Sequence, residues 1–336
     1  MKIARPENKM LKIIVLALPL VLVVVLAELV LRFVGPEYYK FGNESQEYYS
    51  NPRGYHLPIR RQDGQVVYGL HYNTNSQGYR LPDDDDRTVV SAKKFQRGIL
   101  ILGDSFTFGR GVKYKDIYPT RLGEMLQRRG YDYFVMNCGQ VGADIWQIHD
   151  IYMREAARES YPLVIYGFVL NDFGLAASIN GSDFIDFNNG RNRWMAIRET
   201  SRIVNLVMFC IEKYRLSRIT KQAYLDAFKG ARLEEGTDLL LDINRRVRSN
   251  GGVLVVMIFP LLYDFDRYPF KEIHEKLASI CAKANIPVLD LLPAYSQFKD
   301  RDLWANPTDH HPNETAHKIA AEKLYDFLFE KKLIRH

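Results

Sequence analysis

Apolar residues run almost without a break from Ile13 to Val34, interrupted by Pro19, Glu28 and Arg32. A helix needs about 20 apolar residues to cross the hydrocarbon core of a bilayer. Lys2, Arg5, Lys9 and Lys12 precede the run. Basic residues on that flank keep the amino terminus in the cytoplasm and send the remainder of the chain outward. The pattern predicts a basic cytoplasmic tail at 1–12 and one transmembrane helix at 13–34. The chain beyond would then stand on the inner (cytoplasmic) membrane, facing the periplasm or cell exterior. A signal peptide cut after Ala27 is the competing reading, because Val25-Leu26-Ala27 fits the small-residue cleavage pattern. The apolar pattern continues through Leu29–Leu31 and Phe33–Val34, which favours a retained anchor. Glu28 and Arg32 stand one helical turn apart, at a spacing that lets them pair.

The periodicity then disappears. Residues 35–96 are rich in Tyr, Asn, Gly and Arg, as in Tyr48-Tyr49, Asn51-Pro-Arg-Gly54 and Asn73-Thr-Asn75-Ser-Gln-Gly78-Tyr-Arg80. They read as a membrane-proximal lead-in of short strands and turns. The acidic run Asp83–Asp86 lacks calcium-loop spacing and reads as a solvated loop.

From residue 97 short apolar runs alternate with amphipathic stretches. Strands are predicted at Ile99–Leu102, Tyr133–Met136, Leu163–Val169, Val253–Phe259 and Pro287–Leu291. Helices are predicted at Ile117–Arg129, Asp144–Glu159, Phe270–Ala284 and Glu314–Phe329, the last capped by Asn313. A largely helical insertion fills the interval to about residue 249. Such alternation predicts an α/β fold, a parallel sheet covered on both faces.

Composition changes little in this picture. The chain has 336 residues and a formal charge of +6, with ordinary apolar and charged fractions. No basic stripe carries interleaved aromatics, so nucleic-acid binding is excluded as a reading. Cys138, Cys210 and Cys281 form no CxxC pair and suit neither a disulfide framework nor a zinc site. Asn43, Asn180 and Asn313 begin Asn-x-Ser/Thr triplets, which matter only in a eukaryotic secretory host.

The chemistry gathers in four short clusters: Gly103-Asp104-Ser105, Asn137-Cys-Gly139, Asn171-Asp172 and Asp309-His-His311-Pro-Asn313. The first three lie at or just past the carboxyl ends of predicted strands, where open α/β sheets place ligands. The residue types suit acyl transfer. A serine hydroxyl needs a base to take its proton, a histidine titrates near neutrality, and a carboxylate orients the ring. Ser105 supplies the nucleophile, His311 the base and Asp309 the orienting acid. Preorganised donors must hold the oxyanion. The backbone N–H of Ser105, the unhindered N–H of Gly139 and the amide of Asn171 fill that role. Asp104 reads as a residue holding the turn. A metal site at Asp309, His310, His311 and His317 is disfavoured, because no third cluster of ligands converges on it. No Gly-x-Ser-x-Gly elbow is present.

These blocks resemble the SGNH hydrolases, also called the GDSL esterase family, from about residue 97 to the carboxyl-terminal helix. Gly103-Asp-Ser105 is similar to the family's first block and Asn137-Cys-Gly139-Gln-Val-Gly142 to the second, whose glycine gives an oxyanion N–H. Asn171-Asp172 is similar to the third, and Asp309-His-His311-Pro-Asn313 to the last, which carries the acid and the base. The anchor and the Asn75…Gly78-Tyr-Arg80 segment resemble bacterial membrane-anchored members. The resemblance implies a three-layer α/β/α sandwich with a five-stranded, mainly parallel, flavodoxin-like sheet over residues 97–332. Two departures stand out. Val169 occupies the third block's usual glycine position, with Gly167 further back. Asp309 and His311 lie one residue closer than the usual Asp-x-x-His, whose acid position holds Thr308. His311 is chosen over His310 because Pro-Asn follows it.

The sequence therefore predicts a membrane-tethered serine esterase needing no cofactor or metal. Its expected substrates are short acyl esters such as O-acetyl groups on envelope or exported polysaccharide. The same acyl-enzyme passing its acyl group to a sugar is a second reading. A silent scaffold or glycan-binding module is a third.

Overall fold

The computed structural model describes residues 9–34, 46–50, 56–60, 66–67, 70–82, 97–173, 200–204, 206–207, 221–222, 224–306 and 309–335. At 9–16, 46–50, 56–60, 66–67, 70–71, 306 and 309 it describes the backbone alone. Asp83–Asp86, Asn43, Asn180, Cys210 and Thr308 lie outside the described residues. The chain divides into two units, Met1–Gly42 with Ile179–Thr220, and Asn43–Ser178 with Lys221–His336.

In the first unit, helix α1 spans Lys9–Val34. Apolar side chains from Leu18 to Phe33 are exposed along it. Arg32 pairs with Glu28 at 3.0 Å, as the one-turn spacing predicts, and also donates to the carbonyl of Thr200. Glu28 in turn accepts from the Ser201 hydroxyl and from the backbone N–H groups of Arg202 and Ile203. Glu28 and Arg32 interrupt the fully described part of this helix. Among the described residues no helix is long and apolar enough to cross a membrane.

The second unit begins with three short antiparallel pairs. These are β1 (Gln46–Ser50) with β2 (His56–Arg60), β3 (Val66–Val67) with β4 (Leu70–His71), and β5 (Asn73–Thr74) with β6 (Arg80–Leu81). They match the expected short strands and turns. The main sheet follows with β7 (Arg97–Gly103), β8 (Tyr133–Asn137), β9 (Leu163–Val169), β10 (Val253–Phe259) and β11 (Val288–Asp290). Its order is β11-β10-β9-β7-β8, and every pairing is parallel.

Side-chain alternation gives the sheet two apolar faces. Ile99, Ile101, Ile165 and Met257 face a core shared with α3 (Tyr118–Arg128) and the carboxyl-terminal helix. Leu100, Leu102, Tyr166 and Val256 face a second core. That core is completed by α4 (Ile145–Ala156), α5 (Gly230–Ser249) and α6 (Lys271–Lys283). Burying each such side chain contributes about 1.5–3 kcal/mol, so sandwiching the strands is the dominant local gain. The result is three layers, α/β/α. Helix α4 is held by a capping box in which Asp144 and Gln147 satisfy each other's backbone N–H groups. Past β11, a short helix α7 (Leu292–Tyr295) leads to a separate two-stranded pair near the chain's end, β12 (Trp304–Asn306) antiparallel to β13 (Asp309–Pro312). Helix α8 (Glu314–Glu330) closes the unit, with Asn313 capping Thr315 and Ala316.

Candidate active site

Strand β7 stops because Gly103 can go where no other residue fits. Its φ is +158°, and a Cβ there would lie 2.7 Å from the Thr107 Cβ and 2.8 Å from the Gly167 carbonyl. The register sets Gly103 directly beside Gly167. The chain turns at Asp104 into a four-residue helix, α2 (Ser105–Phe108). Asp104 is buried and caps this helix, accepting from the N–H of Phe106 at 2.8 Å. Its assignment to the turn therefore agrees with its geometry.

Ser105 opens α2, so its N–H has no partner within the helix. Its Oγ lies 2.8 Å from Nε2 of His311 and 3.4 Å from a carboxylate oxygen of Asp104. The shorter contact is a well-formed hydrogen bond and the longer one is weak. His311 comes from β13, and its ring leans on Phe106 with centroids 5.4 Å apart. His310 is otherwise engaged: it stacks on Trp304 with centroids 3.8 Å apart and planes 15° from parallel. Neighbours on a strand face opposite ways, which explains why one histidine meets the serine and the other meets the tryptophan. Asp309 lies in β13 two residues before His311. Its backbone is placed there, but its side chain lies outside the described residues.

The loop after β8 corrects one expectation. The Gly139 N–H is not left open for an oxyanion, because it donates to Oδ1 of Asn137 at 2.9 Å. The Asn137 amide donates in turn to the carbonyl of Thr107 at 3.0 Å. Asn137 thus closes an Asx turn and ties the loop to α2. Gly139 is needed for closeness: a Cβ would lie 2.6 Å from the Thr107 carbonyl carbon. Three residues on, Gly142 is exposed at a φ of +72°, and among the described residues nothing accepts from its N–H. The sequence signal for it was present in Asn137-Cys-Gly139-Gln-Val-Gly142, which holds two glycines.

Asn171 follows β9 in a short 3-10 turn, Leu170–Phe173, and donates to Asp104 at 3.2 Å. One amide hydrogen remains for another acceptor. Its neighbour Asp172, which sequence reasoning left unassigned, is wholly buried. It accepts from Tyr166 at 2.8 Å and from the Val169 N–H at 3.0 Å. Burial first, and then the charge of Asp104, push its carboxyl well above the usual range. Burial likewise raises Asp104, against the hydrogen bonds it accepts.

His317 stacks on Tyr118, and its Nδ1 accepts the Tyr118 N–H at 3.3 Å. Burial lowers its pKa to about 3, so it stays neutral in the core. Among the described residues no group of three His, Cys, Asp or Glu side chains forms a metal site. Cys138 is buried, and burial pushes its thiol well above the ordinary value.

A family model described as GDSL-like Lipase/Acylhydrolase family matches residues 101–319. No curated protein matches the chain. Among solved structures, the chain is similar to TesA, at 14% identity and a TM-score of 0.47 over 71% of this chain and 100% of that one. It is also similar to a catalytic mutant of Axe2, an acetylxylan esterase from Geobacillus stearothermophilus. There the identity is 14% and the TM-score 0.47, over 72% and 98% of the two chains. A psychrotrophic esterase, EstA from Pseudoalteromonas sp., matches at 13% identity and 0.42 over 70% and 98%.

Proposed function

This chain belongs to the GDSL-like lipase/acylhydrolase family and is a serine ester hydrolase, and on that premise we propose that Ser105 and His311 cleave short-chain esters through an acyl-enzyme. The observation that carries the reading is the 2.8 Å contact between Ser105 Oγ and His311 Nε2, from residues 206 positions apart. His311 takes the hydroxyl proton as Oγ bonds to the ester carbonyl carbon. The carbonyl electrons move to oxygen. The N–H of Ser105, the free amide hydrogen of Asn171 and the open N–H of Gly142 serve that oxyanion; Gly139 supports the loop. Collapse breaks the C–O bond, and the imidazolium returns its proton to the leaving alcohol. Water, deprotonated by the same ring, then releases the acid and restores Ser105. Asp309 is assigned to orient His311 and to steady the imidazolium.

The favoured substrate is an O-acetyl or similarly short ester on envelope or exported glycan. The proposed location supports this. The apolar run Ile13–Val34, its basic flank and the exposed side chains of α1 favour a single-pass anchor in the inner membrane, with the second unit outside. The test uses full-length protein in detergent with p-nitrophenyl acetate and then acetylated xylan. Ser105→Ala and His311→Ala should each abolish acetate release. Full activity in either variant defeats the assignment. Protease protection of the second unit in inside-out but not right-side-out vesicles tests the orientation, and the reverse pattern refutes it.

A further inference from the structure

The residues ahead of the matched region reach both loops of the site. Arg80, in β6, is 3% exposed. Its guanidinium donates to the carbonyl of Gly109 at 3.1 Å and to that of Val112 at 3.0 Å. Gly109 caps the carboxyl end of α2, so Arg80 grips the nucleophile helix from behind. The guanidinium also lies 4.2 Å over the Tyr72 ring and 5.3 Å from the Phe108 ring. The Tyr72 hydroxyl accepts the Gly111 N–H at 2.6 Å, and its ring meets Phe108 edge-on at 5.4 Å.

The same arm holds the other loop. Gln140 donates to the carbonyl of Gln77 at 2.6 Å. Tyr72, Phe108 and Val141 form a small separate core, one residue from the arm, one from α2 and one from the Asn137–Gly142 loop. The rear of the arm is fixed to α4, where the Tyr79 hydroxyl donates to Glu155 at 2.7 Å and accepts from Arg154 at 2.8 Å.

We propose that Arg80 is a positioning residue for ester cleavage, locking α2 against the Asn137–Gly142 loop so that nucleophile and oxyanion donors share one fixed geometry. Oxyanion stabilisation depends on donors set at hydrogen-bond distance from the oxygen of the tetrahedral state, not of the bound ester. Misalignment therefore lowers kcat more than it raises KM. An arginine suits the task because its rigid fork reaches two carbonyls at once. The inference rests on the proposed role of Ser105.

The experiment compares wild type, Arg80→Met, Arg80→Lys and Tyr72→Phe, with Ile243→Val in the distant α5 core as a stability control. Steady-state cleavage of p-nitrophenyl acetate is measured well below each melting temperature. Arg80→Met should lose about tenfold or more in kcat with KM within about twofold. Arg80→Lys should recover part of the loss, since an ammonium still donates to a carbonyl. Ile243→Val should keep wild-type kcat. A folded Arg80→Met with kcat within about twofold of wild type, or a loss confined to KM, overturns the proposal. If Arg80→Met does not fold, unchanged kcat in both Arg80→Lys and Tyr72→Phe overturns it. An inactive wild type defeats the active-site reading instead.

Discussion

Replacing Asn137 by alanine should damage stability and turnover together. The side chain makes two buried hydrogen bonds, from the Gly139 N–H at 2.9 Å and to the Thr107 carbonyl at 3.0 Å. Asn137 is 9% exposed, so water reaches these groups poorly. Each backbone group left without a partner costs about 1–3 kcal/mol. Partial relaxation brings the sum to about 2–4 kcal/mol. In a domain of this size that lowers Tm by about 5–12 °C. The loop carrying Gly142 also loses its hydrogen-bonded tether to α2, so kcat on p-nitrophenyl acetate should fall by about tenfold or more. Asn137→Asp keeps the acceptor for Gly139 and loses the donor to Thr107, so it should fall between the two. Thermal melts and steady-state kinetics on the three proteins decide the matter. An alanine variant melting within about 1 °C of wild type with kcat within about twofold would refute the reasoning, because both bonds would then be energetically idle.

Three further predictions follow from buried contacts. Gly167→Ala sets a Cβ 2.6 Å from Thr107 Oγ1 and 2.7 Å from the Tyr118 hydroxyl, so urea unfolding should show a loss of about 1–3 kcal/mol; an unchanged midpoint contradicts the packing. His317 has a native pKa of about 3, below its unfolded value, so the unfolded chain binds the extra proton and stability falls as pH drops from about 6.5 towards 3. The stability difference between wild type and His317→Gln should therefore shift by up to about 1.4 kcal/mol per pH unit in that window, and a pH-independent difference counts against a neutral buried ring. Asp172 has a raised native pKa, so the native state holds a proton that the unfolded state releases, and its contribution weakens as pH rises above the unfolded value. Asp172→Asn should thus gain Tm relative to wild type as pH rises above the unfolded carboxyl's value of about 4, and a relative loss on that rise would contradict the assignment.

The sheet was legible because its strands are short apolar runs flanked by turn residues. Leu163–Val169 and Val253–Phe259 fall at their expected bounds. Helix termini were legible where a side chain caps the backbone, as at Asp144 and Asn313. The expected helix Asp144–Glu159 ends sooner, at Ala156, and the Arg158 N–H turns back to the Glu155 carbonyl three residues earlier. The order of the four clusters pointed to Ser105 and His311, and strand alternation explains why His310 lies against Trp304. The hydrogen bond that takes up the Gly139 N–H was missed, although Asn two residues before an N–H is an Asx-turn signal. The docking of Tyr72 and Arg80 on α2 had no local signal. It joins residues some thirty positions apart through backbone carbonyls, which any sequence supplies. Asp172 carried no assignment of its own in the sequence, and only tertiary burial distinguishes it.

The central claim is that the Ser105 hydroxyl is activated by His311. Mass-spectrometric mapping of the full-length protein after reaction with a fluorophosphonate tests it most directly. The account predicts one adduct on Ser105, formed far more slowly in His311→Ala and unaffected in His310→Ala. An adduct on another residue, or equal labelling rates with and without the His311 ring, would contradict it.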